Sequence, residues 1–303
     1  MPTIAMVDRW SNEAAKMFAV MGVTGQVGRQ VAQNLLNADQ AVRVLVRDAA
    51  KAADWSAAGC EVAQVSVQDA ASLAKAMAGV DGVFLMIPPD YDPAPGFPEI
   101  RSIIDSVTAA VESAKPGRLV FLSTVGAHVE QFSLLNNARM IEAAMRRLSV
   151  PAGFLRAAWF MENAKWDLET ASKGMIPSFL QPLDHPIPMV ATADIGLAVA
   201  QMLMEDWQGT RVVELEGPRR YSANDIAEGY AATLGCTVRT EIVPRDTWDG
   251  LFRSQGMRHP EPRMHMLDGF NEGWIDFEHD VSQRRFGTTS LEQVLLSLTS
   301  RPQ

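Results

Sequence analysis

The chain has 303 residues, 47% of them hydrophobic and 21% charged, which describes a globular protein and excludes a disordered one. Its formal net charge of −9 argues against a surface that tracks nucleic-acid phosphates. No stretch reaches the roughly 18 consecutive apolar residues of a membrane span, and on a prior of ~150 residues per domain the length fits one large domain or a domain and a half.

Residues 1–16 include Asp8, Arg9, Glu13 and Lys16 and lack the apolar core of a signal peptide. The first predicted strand starts only at Met17 or Phe18. The preceding residues are therefore either an N-terminal extension or lie upstream of a natural start at Met17. Cys60 and Cys236 are far apart and form neither a disulfide framework nor a metal motif; they read as two small hydrophobes. The setting that fits is soluble, reducing and cytoplasmic.

Strand one, Phe18-Ala19-Val20-Met21, runs into Gly22-Val23-Thr24-Gly25-Gln26-Val27-Gly28 and then an amphipathic helix, Gln26 to Leu36. A glycine turn opening a helix exposes backbone N–H groups where the helix dipole favours a phosphate. The spacing is GxxGxxG, not the commoner GxGxxG, and a plain strand–helix turn also needs glycine. The surrounding strand and helix, and the basic Arg47 about 25 positions on, favour a dinucleotide site.

Five more strands follow: Val42–Val46, Glu61–Val65, Gly82–Ile87, Arg118–Ser123 and Ala152–Arg156. Helical patterns separate them at Asp48–Ala58, Asp69–Ala78, Pro98–Lys115 and Leu134–Leu148. Apolar strands alternating with helices predict an α/β fold of Rossmann type, a parallel sheet with helices on both faces. Beyond Arg156 the pattern loosens. Pro177, Pro182, Pro186 and Pro188 break a stretch that reads as loops around a cleft or merely as surface. Ala193–Met204 is helical, Arg211–Leu215 is a strand, and Ser222 is an N-cap before a helix that ends at Gly235. Trp248, Phe252, Met257, Met264, Met266, Phe270 and Trp274 read first as core and second as the wall of an apolar pocket.

GVTGQVG at 22–28, LVRD at 45–48, LSTVG at 122–126, LRAAWFMEN at 155–163, ATADIG at 191–196 and ELEGP with YSANDIA over 214–227 together resemble the NmrA-like family. This is an atypical branch of the short-chain dehydrogenase/reductases that includes quinone reductases, triphenylmethane reductases and NADP-binding redox regulators. The resemblance runs from about 17 to about 256. It implies a Rossmann domain at 17–156 with a return segment at 191–215, and a smaller substrate or partner domain from 157–190 and 216–303.

The resemblance also implies a cofactor site. Gly22, Gly25 and Gly28 would make the turn, admit the pyrophosphate and allow close helix–strand packing, with Thr24, Gln26 and Val27 lining it. Arg47 stands where an acidic residue would hold the ribose of NAD, so NADP(H) is expected over NAD(H); the alternative is an ion pair with Asp48. Ser66 takes a place where relatives often have an aspartate near the adenine. Asp69 is more simply an N-cap. Ile87 and Pro88 should lie along the ribose. Ser123 and Thr124 should face the nicotinamide, and Ala157 and Ala158 should approach its carboxamide through backbone groups.

The Tyr-x-x-x-Lys pair of the superfamily is missing. None of Tyr91, Tyr221 and Tyr230 precedes a lysine at that spacing, and the position where many relatives keep a lysine is Ala138. Catalytic residues are therefore unassigned. Asn137, which could hold a ribose hydroxyl or merely solvate a helix start, and His128, which could equally be a solvated loop residue, are the candidates. No spaced set of metal ligands is visible among His185, His259, His265 and His279. These features suit an NAD(P)H-dependent reductase of a flat apolar or aromatic acceptor such as a quinone, which needs little acid catalysis. The alternative is a non-catalytic NADP(H) sensor acting through a protein partner; a weaker third is an isomerase or imine reductase. No direct nucleic-acid or membrane partner is expected, and a protein partner or homodimer is left open.

Overall fold

The computed structural model describes residues 15–278 and 283–300. Most of the expected N-terminal extension (1–14) and His279 lie outside the described residues. The chain opens with β1 (Met17–Met21), α1 (Gln26–Asn37), β2 (Ala41–Val46), α2 (Ala53–Ala57), β3 (Glu61–Gln64), α3 (Ala70–Met77), β4 (Gly82–Leu85), α4 (Pro98–Ala114), β5 (Leu119–Thr124), α5 (Asn136–Met145) and β6 (Ala152–Ala157). Then come β7 (Trp159–Phe160), α6 (Leu168–Ala171), β8 (Met175–Ser178), β9 (Met189–Val190), α7 (Thr192–Met204), β10 (Thr210–Glu216), α8 (Ala223–Leu234), β11 (Arg239–Ile242), α9 (Trp248–Ser254), α10 (Glu261–Glu272), β12 (Arg284–Phe286) and α11 (Leu291–Thr299).

Eight strands form one sheet in the order β3-β2-β1-β4-β5-β6-β10-β12, and every neighbouring pair is parallel. This is a Rossmann-type α/β fold, with the strand order reversing between β1 and β4. Alternate strand residues feed two cores. Phe18, Val20, Val44, Phe84, Val120, Leu155 and Val213 pack toward α1 and α7. Ala19, Leu45, Val83, Phe121 and Phe154 pack toward α3, α4 and α5 through Leu73, Ile103, Val107 and Ile141. With both faces covered, the strands read as continuous apolar runs rather than alternating ones.

The predicted elements of the first half are present, with one change of type. The helix expected at 48–58 is a 3₁₀ turn, Ala49–Ala52, followed by the short α2, because the Asp48 carboxylate accepts from the Ala50 N–H and tightens the start. Asp69 caps α3 through the N–H groups of Ala71 and Ser72. Ser222 forms a capping box with Asp225 on α8, and Gly235 ends that helix at φ +67°. The proline stretch is not all loop. It contains β8, which pairs only with β11, so Pro177 sits on a short ribbon whose free edge tolerates its missing N–H. β12, from the stretch expected in the smaller unit, joins the main sheet beside β10.

Candidate functional site

The three glycines of the first turn differ in what surrounds them. Gly22 has φ +77°, a left-handed conformation, and a Cβ on it would lie 2.4 Å from the Met86 sulfur. A Cβ on Gly28 would fall 2.3–2.5 Å from backbone atoms of Gly22 and Met21, so α1 rests directly on the end of β1. Gly25, the N-cap of α1, would meet only the Gly22 carbonyl oxygen, at 3.3 Å. The Gly25 N–H donates to that same oxygen at 2.9 Å. No side chain caps α1 and its first turn holds no acid, which leaves N–H groups at the positive end of the dipole facing solvent. The cradle lies at the switch point of the sheet, and it fits a phosphate group. Thr24, Gly25 and Gln26 are exposed, but the Val27 side chain is buried in the core, so only its backbone can line the turn.

Arg47 is exposed just past β2. The alternative of an Arg47–Asp48 ion pair is not formed: the Asp48 carboxylate turns to Ala50, and no carboxylate of the described residues is within ion-pair distance of Arg47. Ser66 is exposed, and its hydroxyl accepts from the Gln68 N–H at 3.3 Å within its own turn. Ile87 is half-buried and Pro88 exposed, on the connection leaving β4.

At the ends of β5 and β6 the arrangement differs from expectation. Ser123 is buried, and its hydroxyl donates to Glu142 at 2.5 Å. It points into the α5 side of the sheet, because it shares the face of Leu119 and Phe121; Thr124, on the opposite face, is half-buried. Ala157 and Ala158 are buried. The Ala157 carbonyl accepts from the Val125 N–H, and the Ala158 N–H donates to Leu215, so two of the backbone groups expected to meet a ligand are already engaged.

Glu142 belongs to a buried ionic network that sequence reasoning missed. Arg156 reaches it with Nε at 3.0 Å and Nη2 at 2.9 Å, and Arg146 reaches it at 3.1 Å. Burial alone would raise the Glu142 carboxyl, but hydrogen bonds and charge from Arg156, helped by Ser123 and Arg146, hold it below the usual carboxylate range. Arg156 also contacts Glu278 and Glu214, and Arg284 pairs with Glu214 at 3.3 Å. His128 joins this cluster: ligand atoms of His128, Glu214 and Glu278 lie within 4.8 Å of one another, and the buried Nδ1 of His128 has no hydrogen-bond partner. The two guanidiniums already supply positive charge to these carboxylates, which disfavours a cation there. The sequence signals for the network are the charged Arg156 and Glu214 inside apolar strands.

Asn137 is half-buried at the start of α5, where its side-chain oxygen accepts from the Ala138 N–H at 2.6 Å. Ala138 is buried. Tyr221 and Tyr230 are core residues: the Tyr221 hydroxyl accepts from Leu291 N–H, and the Tyr230 hydroxyl donates to the Ala164 carbonyl. Burial, then the charge of Asp167, pushes the Tyr230 phenol well up, so it is a poor proton donor. Two acids of the FMEN and DIG motifs are structural ties. Glu162 accepts from the backbone and hydroxyl of Thr192 at the start of α7, and Asp194 accepts from the backbone and hydroxyl of Thr289.

Of the four exposed aromatics among the described residues, Phe286 lies on β12 and the other three mark the same edge of the sheet as the cradle. Tyr91 (42% exposed) and Phe132 (45%) lie on the connections leaving β4 and β5, and Trp166 (58%) lies in the 3₁₀ segment Met161–Asp167 that follows β7. Tyr91 and Trp166 meet edge to face at 6.4 Å. Trp248, Phe252 and Phe270 are core, while Met257, Met264, Met266 and Trp274 are partly buried against it.

A doubly wound parallel sheet with an open glycine cradle at its switch point defines a Rossmann-type dinucleotide-binding protein. The model of the NmrA-like family matches residues 14–286, and the chain belongs to that family. It is 30% identical over 234 residues, 76% of this chain and 78% of the relative, to the (4-alkanoyl-5-oxo-2,5-dihydrofuran-3-yl)methyl phosphate reductase of Streptomyces griseus. It is 26% identical over 264 residues, 84% of this chain and 85% of the relative, to the NAD(P)H azoreductase of Xenophilus azovorans. The structure of an NADPH-dependent quinone oxidoreductase from Escherichia coli in complex with NADPH superposes with a TM-score of 0.77 at 22% identity, covering 94% of this chain and 100% of that one. Relatives named as NAD(P)H- or NADPH-dependent reductases or oxidoreductases are thus among the proteins this chain resembles. No helix among the described residues is long and apolar enough to cross a membrane.

Proposed function

We propose that the protein is an NAD(P)H-dependent reductase that uses NADP(H) in preference to NAD(H) and reduces a flat, apolar, conjugated acceptor of the quinone class. The observation that carries this reading is the convergence on one sheet edge of an open glycine cradle, an Arg47 with no carboxylate partner among the described residues and the exposed rings Tyr91, Phe132 and Trp166. Gly25 and the first N–H groups of α1 would hold the pyrophosphate, and Arg47 the 2′-phosphate. Ile87, Pro88 and Thr124 would flank the ribose and nicotinamide. When bound, the nicotinamide supplies the hydride. The chain's contribution is to hold the acceptor's flat face against it and to exclude bulk water with aromatic surface. No Tyr-x-x-x-Lys pair is present in the sequence, so the proton on the product would come from solvent, with Asn137 orienting a water, or from His128 through water. The segments 157–190 and 216–303, apart from β12, would form the acceptor side of the cleft. The Streptomyces griseus relative is named for a phosphorylated oxodihydrofuran, which extends the acceptor class to conjugated carbonyls.

A second reading is a non-catalytic NADP(H) sensor with a protein partner. It is favoured by the missing pair and by Ser123, whose hydroxyl is committed to Glu142. Calorimetry with NADPH and NADH, followed by NADPH oxidation assays with quinones, azo dyes and enals, separates the two. The reductase reading expects tight NADPH binding and turnover of at least one acceptor class. Tight binding with no turnover across the panel would replace it with the sensor.

A further inference from the structure

Arg263 carries a half-buried guanidinium. It lies 6.0 Å from the centre of the Tyr91 ring and 4.5 Å from that of Phe252. Among the described residues no acid comes within ion-pair distance of it, whereas other shielded arginines each have one: Arg43 with Glu61, Arg118 with Asp206, Arg156 with Glu142, Arg220 with Asp276. Burial pulls the Arg263 pKa down, and Tyr91 is the sole group opposing that. An unpaired cation removed from water is unfavourable. Its place in the first turn of the 12-residue α10 adds to the cost, since that is the positive end of a helix dipole. Glu261, in the same turn, is exposed and makes no pair with it.

The surroundings put this cation at the edge already described. The start of α10 is tied to the connection after β4, where the Asp92 carboxylate accepts from the N–H groups of Arg258 at 2.9 Å and His259 at 2.5 Å. It is tied to the connection after β5 by Leu134 N–H donating to Pro262 O at 2.8 Å and by His265 Nδ1 at 3.1 Å from Phe132 O. Arg263 thus stands beside Tyr91, whose ring meets Trp166, with Phe132 on the adjoining loop.

We infer that Arg263 is a specificity residue that receives an anionic substituent, a sulfonate, carboxylate or phosphate, on the flat acceptor held by these rings. An anion there would gain the guanidinium fork and the helix dipole together. The inference rests on the reductase reading for the acceptor's role, while anion binding can be measured without turnover.

The direct test is equilibrium binding of naphthalene-2-sulfonate against its neutral isostere naphthalene-2-sulfonamide, with NADP+ present, followed by tryptophan fluorescence. The wild type is expected to prefer the sulfonate by at least about tenfold, the scale of a charge-assisted hydrogen-bond pair. Arg263→Gln should abolish the preference and leave NADPH affinity unchanged; Arg263→Lys should keep part of it. Equal binding of the two probes by the wild type, binding of neither, or a preference that survives in Arg263→Gln would overturn the assignment. A wild type without the preference overturns the assignment even if a variant fails to fold, and Arg263→Lys locates the site if Arg263→Gln does not fold. Turnover of 1,2-naphthoquinone-4-sulfonate against 1,2-naphthoquinone separates the two readings. Reduction of both with equal kcat/KM would remove the anion site and leave the reductase. A sulfonate preference in binding with no turnover of either would do the reverse.

Discussion

Gly28 packs so closely on Gly22 that a β-carbon at Gly28 would sit 2.3 Å from the Gly22 carbonyl carbon, whereas one at Gly25 would meet nothing nearer than 3.3 Å. The two glycines therefore serve different ends, packing and access. Gly28→Val should push α1 off β1 and lower stability by about 1–3 kcal/mol or more, seen as a lower urea midpoint. Gly25→Val should keep a near-wild-type midpoint and lose NADPH binding. If Gly25→Val binds NADPH normally by calorimetry, the phosphate does not occupy this turn.

Under the proposed function, Arg47 is expected to set the preference for NADP(H). Arg47→Ala should weaken NADPH binding by about 1.5–3 kcal/mol, the value of a hydrogen bond to a charged group, and leave NADH nearly unaffected because the 2′-phosphate is the only difference. Calorimetry on both cofactors checks this, and a parallel loss for NADH would assign Arg47 a merely structural part.

Turnover should not depend on a tyrosine acid. Tyr91→Phe and Tyr221→Phe are expected to retain most activity with a quinone acceptor. Tyr230→Phe leaves the Ala164 carbonyl without its partner, so it should cost on the order of 1 kcal/mol of stability while sparing kcat. Loss of turnover in any folded Tyr→Phe variant would mean that a tyrosine does supply the proton.

Asp167 makes stability depend on pH. Burial raises its carboxyl from 3.8 to about 7. Between those values the folded state binds the extra proton, so stability is greatest at the acid end and falls as pH rises toward 7. The full effect is at most about 4 kcal/mol at 1.36 kcal/mol per pKa unit. Asp167→Asn should therefore stabilise the protein at pH 8 and change little near pH 4. Urea unfolding at the two pH values tests it: an equal effect at both would show that Asp167 titrates normally.

The sequence by itself determined the parallel sheet, the glycine turn and most helix ends. Each of these is written in local terms: apolar runs of strand length, a glycine where φ must be positive, Asp69 and Ser222 as caps. Arg47 was equally legible, because its position after β2 follows from the order of elements. Which face a strand residue uses was not legible. Ser123, at a strand end, reads as a ligand contact until the pleat turns it toward Glu142. Val27 reads as part of the turn until its side chain proves to be core. The short strands β7, β9 and β12 carry too few residues for a period, and only pairing defines them.

Charge pairing between elements belonged to the tertiary structure. Glu142, Arg156, Glu214 and Glu278 are spread over more than a hundred residues and meet only where α5, β6, β10 and the segment before β12 come together. The same closure decides which charge stays unpaired. Arg263 looks like any surface arginine in sequence, and it acquires its isolation from carboxylates, and its place over Tyr91 and Phe252, only when α10 is drawn against the loops after β4 and β5. Local propensity can be read along a chain, but the solvation and partner of a charge are set by whatever long-range packing brings to it.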